Sequence, residues 1–151
     1  MLRMNVSLAL LLLAPMFVPG EESQETYRNA RLVWESESPI CFDKSLPLTQ
    51  KMESVPRLMV GGETIPPQEI NVPKPTIEEL VATEERPWVL VFDVVINTHG
   101  EAELIVSLKE GYPRMEELSA RYLAKGSWEP ATLNGKPVCV RYILTNRIHY
   151  Q

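Results

Sequence analysis

Few side chains in this sequence are of a type that does chemistry, and their spacing limits what they could do. Cys41 and Cys139 are the two cysteines, and His99 and His149 the two histidines, of a 151-residue chain. Cys139 and His149 fall on what reads as one strand. At about 3.3 Å per residue they are too far apart to meet as a nucleophile and its base. The histidines and cysteines also lack the short spacings with which a chain wraps zinc. His99 falls in a turn and His149 close to the end of the sequence, so both read as solvent-facing. Asp93 interrupts a run of apolar residues, where it reads as lying on a more open face or bonded to a neighbour. A catalytic carboxylate would need a polar cluster that no motif here supplies. No glycine-rich phosphate loop and no nucleophilic-serine motif is present. These residues give no reason to expect an enzyme, a catalytic residue, a bound metal or a cofactor.

The chemistry left to the cysteines is oxidation, and whether it occurs depends on compartment. Arg3 gives a weakly positive start, and residues 6–18 are almost wholly apolar. That run is shorter than the roughly 20 residues a spanning helix needs. It fits the core of a secretory signal over residues 1–20, with Val18 and Gly20 as the small residues before the cut. Export with removal of the signal is therefore expected. An uncleaved run would instead act as a short membrane anchor. An oxidising compartment favours a Cys41–Cys139 disulfide. The bridge would close a loop of about 100 residues, which in the chain-entropy picture stabilises by roughly 4–5 kcal/mol. Two separate thiols remain the alternative that sequence leaves open.

The net charge of −5 argues against nucleic acid as a partner, because phosphate neutralisation needs a basic surface. The charge is also unevenly placed. Residues 21–87 carry 13 acidic and seven basic side chains, whereas residues 88–151 carry seven of each. Ten of the 13 prolines precede Trp88 as well. Residues 21–56 accordingly read as an extended acidic segment that drapes over a core formed later. Within it, Leu32, Val33 and Trp34 suggest a short strand, and Ile40, Cys41 and Phe42 an apolar patch in need of a surface. Arg57 to Val60 reads as a short strand ending at Gly61-Gly62. Ile65-Pro66-Pro67 and Val72-Pro73-Lys74-Pro75 should be extended, since proline holds its predecessor out of the helical region.

The second half carries the clearer periodicities. Thr76 with Glu79 three residues on forms a capping-box signature. It opens a helix whose apolar face would be Ile77, Leu80 and Val81, stopped before Pro87. Residues 88–97 are β-branched and aromatic almost throughout, as in a central strand covered on both faces. Asn97-Thr98-His99-Gly100 reads as a hairpin turn. The return strand alternates, with Ala102, Leu104, Val106 and Leu108 on one face and Glu103, Ile105 and Ser107 on the other. Pro113 opens a second helix at the position it tolerates best. Its inner stripe is Met115, Leu118 and Tyr122, and Gly126 ends it. Trp128 should plug the gap between helix and sheet. After the Asn134-Gly135 turn, residues 137–149 read as the last strand. Cys139, Arg141, Ile143, Thr145 and Arg147 share its face away from the helices.

Several of these pieces together resemble the C-terminal domain of the TonB family of energy transducers. The resemblance rests on the apolar strand before Asn97-Thr98-His99-Gly100, the helix after it, the Trp128-Glu129-Pro130-Ala131 corner, and Asn134-Gly135-Lys136-Pro137-Val138 leading into the last strand. Val60-Gly61-Gly62 with Pro66-Pro67 is similar to the lead-in found upstream in that family. Residues 57–151 are covered. Two departures stand out: Gly126 occupies a place where the family commonly has an aromatic residue, and the family's long proline-rich arm and anchor helix have no counterpart here. The resemblance implies an α+β fold, with an antiparallel sheet of about three strands packed on two helices. It also implies that a peptide from an outer-membrane receptor adds as a strand beside the last strand, within TonB-dependent transport. Arg141, Ile143, Thr145 and Arg147 would border that peptide, the arginines attracting an acidic partner. The missing arm suits an alternative: a stand-alone periplasmic protein that reuses the scaffold for another envelope partner, or for a homodimer through strand pairing.

Overall fold

Apolar residues that recur every second position bury themselves best as paired strands, and the longest such runs here form the centre of one sheet. In the computed structural model, which describes residues 30–58, 63–109 and 111–150, β4 (Val89–Ile96) and β5 (Ala102–Ser107) pair antiparallel through the expected hairpin. Asn97 shapes that turn. Its side-chain oxygen accepts from the His99 and Glu101 amides at 2.9 and 3.0 Å, and Gly100 adopts φ +76°. β9 (Val140–Arg147) pairs along the other side of β4. β1 (Arg31–Glu35) pairs antiparallel with β5, giving the order β1-β5-β4-β9. The architecture is α+β, as expected, with a sheet one strand wider than the three anticipated. Short strands complete the chain: β2 (Thr64–Ile65), β7 (Thr132–Leu133) and β8 (Lys136–Pro137) form one small sheet, and β3 (Gln68–Asn71) pairs with β6 (Ser127–Glu129).

Three helices are present among the described residues, one more than expected. α1 (Leu48–Ser54) lies in the segment read as extended. α2 (Ile77–Ala82) has both bonds of the Thr76–Glu79 capping box, at 2.9 and 3.2 Å. It is short, however, and only Leu80 of its expected apolar face packs on the core, while Ile77 and Val81 are exposed. α3 (Pro113–Ala124) buries Met115, Leu118, Ser119, Ala120 and Leu123. Tyr122, expected in the inner stripe, is only half-buried and donates its hydroxyl to Glu79 at 2.5 Å.

The sheet is covered on both faces. Leu90, Phe92, Val94 and Ile96 of β4 meet Met115, Ala120, Leu123 and Trp128 on the helix side. Val95, Leu104 and Val106 meet Phe42, Met52 and Val55 on the other. β5 is consequently buried at all six positions, not on one face alone. A β-bulge explains why Ala102 and Leu104 end on opposite sides. Ile96 pairs with Ala102 while Val95 pairs with Leu104, so Glu103 is the extra residue. The bulge aims the Glu103 carboxylate at the covering segment, where it accepts from the Ile40 and Cys41 amides and from Asn97 Nδ2 at 2.8–3.0 Å.

Candidate functional site

Among the described residues, β1 and β9 are the two edge strands of the main sheet, and the flank of β9 that faces away from β4 is only partly paired. The Ile148 amide donates to the Trp88 carbonyl at 3.0 Å, so even-numbered residues of this strand direct their backbone toward β4. Odd-numbered residues direct theirs outward. At the first of them, Arg141, the flank is occupied: its amide donates to the Pro56 carbonyl at 3.0 Å, and its carbonyl accepts from the Leu58 amide at 2.9 Å. Arg57 thereby forms a parallel bridge to Arg141. Beyond it, no strand among the described residues pairs along the outward groups of Ile143, Thr145 and Arg147.

The four side chains expected to border a docked peptide differ in exposure. Ile143, Thr145 and Arg147 are exposed. Arg141 is not: it is 8% exposed and lies over Asp93 of β4, with Nε 3.8 Å from the carboxylate. Asp93 is fully buried, and Arg57 reaches the same oxygen at 3.5 Å. A carboxylate taken out of water this completely requires compensating positive charge. Arg141 therefore serves the interior carboxylate and is largely withdrawn from the rim on which it was expected to meet an acidic partner. Only Arg147 of the two arginines stays on the rim.

The opposite side of β9 forms a cleft. Leu144 and Asn146 line it together with Ser119 and Leu123 of α3, and residues 72–75 form its far wall; its volume is about 120 Å³. Two of those four wall residues, Pro73 and Pro75, carry no amide hydrogen, and the segment forms no strand pairing with β9. Deeper in, the surroundings are drier. Burial pushes the Tyr142 phenol above its usual range, the neighbouring Trp128 indole acting in the opposite sense.

Trp128 ties this side to the β4–β5 hairpin. Its amide donates to the Gly100 carbonyl at 2.8 Å, and a Cβ on Gly100 would sit 1.8 Å from the Trp128 carbonyl oxygen. A Cβ on Gly126 would meet the indole ring at 2.8 Å. Gly126 thus makes room for the tryptophan two residues later.

The cysteines stand at the other end of β9. Cys41 and Cys139 are joined in a disulfide with Cα atoms 5.9 Å apart. The bridge anchors the segment that carries Phe42, Met52 and Val55 onto the second face of the sheet. His99 and His149 are both exposed. Among the described residues no three His, Cys, Asp or Glu side chains gather as a metal site. Nor is any described helix long and apolar enough to cross a membrane. The signal-like residues 1–20 and the Val60-Gly61-Gly62 lead-in lie outside the described residues.

The cleft had no warning in the sequence. Ser119 reads as the flank of a helix stripe and residues 72–75 as a connector, and only the packing of β9 beside both creates a concavity. Comparisons with protein-family models, with curated proteins and with solved structures return no match to this chain.

Proposed function

We propose that the protein docks an extended peptide as an added strand on the outer flank of β9. The observation that carries this reading is the position of β9 at the sheet margin, where no strand among the described residues pairs with the outward groups of Ile143, Thr145 and Arg147. An added strand satisfies such groups through main-chain hydrogen bonds, and side-chain subsites then select the partner. The resemblance to TonB C-terminal domains supplies the partner class: a peptide from an outer-membrane receptor or another envelope protein, in the periplasm. Strand pairing between two copies of the chain uses the same flank and is the competing occupant.

A backbone-directed variant tests the reading. The Thr145 amide points away from β4, so Thr145→Pro removes an outward donor and leaves the β4 ladder intact, as proline does on edge strands. In an amide chemical-shift titration with an extended receptor-derived peptide, the wild-type protein should show shifts centred on Ile143, Thr145 and Arg147. Thr145→Pro should keep the dispersed spectrum of the folded state and lose at least about tenfold in affinity, the equivalent of one or two hydrogen bonds. Shifts confined to the helices, or undiminished binding by the folded variant, would reject strand addition.

A further inference from the structure

We infer that the cleft between β9, α3 and residues 72–75 is a side-chain subsite for the docked strand, and that it takes a neutral carboxamide, the side chain of a glutamine or asparagine. The inference rests on strand addition at β9. Leu144 and Asn146 turn their side chains toward α3 and line the cleft. Residues of an added strand that lie alongside them turn theirs to the same face, as neighbours across a ladder do. The side chain of such a residue therefore projects into the cleft.

Its chemistry follows from the lining. Ser119 is 2% exposed, and its hydroxyl has no hydrogen-bond partner among the described residues. A helical serine ordinarily satisfies itself on the carbonyl one turn back. This one does not, and it lines the cleft. The hydroxyl is already withdrawn from water without a partner, which is costly, and an aliphatic side chain entering there would leave it so. The rim carries one acid, Glu69, and one base, Lys74. Their fields largely cancel, so a charged side chain would give up hydration for little net attraction. A carboxamide offers a carbonyl acceptor and two N–H donors in one flat group. The acceptor suits the Ser119 hydroxyl and the Lys74 ammonium, and the donors suit Glu69. The neutral groups at depth, Leu123 and Leu144, pack against its methylenes.

The test uses acetyl-Thr-Val-Thr-X-Thr-Val-Thr-amide peptides with X as Gln, Leu or Lys, titrated into the disulfide-bonded protein and into Ser119→Ala while amide shifts are recorded. Ser119→Ala deletes a buried hydroxyl that has no partner, so it should fold at least as stably as wild type. All three peptides should shift the Ile143, Thr145 and Arg147 amides. The Gln peptide should bind about fivefold more tightly than the Leu peptide, as expected for one additional well-made hydrogen bond. That ratio should approach one in Ser119→Ala, with Leu-peptide affinity unchanged or improved. Leu or Lys binding as tightly as Gln, or a Gln preference that survives Ser119→Ala, would overturn the subsite while leaving strand addition in place. An absence of β9 shifts with every peptide would overturn both.

Discussion

Asp93, Glu103 and Glu116 are all at most 2% exposed, and each is held by a different local solution. Asp93 lies against two arginines. Glu103 accepts three hydrogen bonds. Glu116 accepts from Ser107 Oγ and the Tyr112 amide and lies 3.6 Å from Arg31. None of these carboxylates faces the cleft. Glu79 is different, because it is accessible and titrates in a readable way. The Tyr122 hydroxyl, and after it the Thr76 amide, hold its carboxyl below the usual range. A carboxyl whose folded pKa lies below its unfolded value contributes stability above the ordinary carboxylate range, lost as pH falls through the lowered value. Tyr122→Phe should therefore raise the Glu79 pKa toward normal, seen in a carbon-detected titration of its carboxyl. An unchanged midpoint would show that the contact does not operate in solution. How legible each residue was in the sequence follows from distance along the chain. The Thr76–Glu79 box spans three positions and was readable. The cap of α3 was not, because Glu85, some 30 residues earlier, accepts from the Arg114 and Met115 amides at 3.2 and 2.8 Å. The burial of Arg141 was hidden for the same reason. Nothing in its own strand reveals that Asp93 sits beneath it.

At the scale of elements, periodicity located the β4–β5 hairpin, α3 and the last strand, and it failed where an irregularity intervenes. The bulge at Glu103 shifts the alternation of β5 by one residue, so a strict period of two puts Ala102 on the wrong face. β8 takes Lys136 and Pro137 into a different sheet, which shortens the last strand to Val140–Arg147. α1 contains no strong apolar stripe, and its burial of Met52 depends on the sheet it covers. The junction between the hairpin and the Trp128 corner is the most sterically demanding contact of the fold. Gly100→Ala would force a backbone clash and place a side chain at positive φ. The expected cost is about 3 kcal/mol, from overpacking together with left-handed strain. It is measurable as a lowered urea midpoint at constant slope. A loss under about 0.5 kcal/mol would mean that the hairpin does not pack on Trp128 as described.

Across the whole molecule, the stretch between β1 and α1 is joined covalently to the residue that precedes β9. The Cys41–Cys139 bridge spans 98 positions. Through it, the segment that carries Phe42, Met52 and Val55 is held over Val95, Leu104 and Val106, and the parallel bridge between Arg57 and Arg141 is the last pairing on this flank of β9 among the described residues. Reduction should lower stability by up to about 4–5 kcal/mol in the chain-entropy picture, read from urea unfolding with and without reductant. An unchanged midpoint would mean that the covering segment is held by packing alone. Everything proposed about partners depends on the flank of β9 beyond Arg141 being free in the isolated protein. Residue-resolved amide hydrogen exchange of the oxidised chain addresses this most directly. The Ile143, Thr145 and Arg147 amides should exchange orders of magnitude faster than those of Tyr142, Leu144 and Asn146, and become protected when an extended peptide is added. Equal protection of all six amides in the free monomeric protein would contradict an open docking edge.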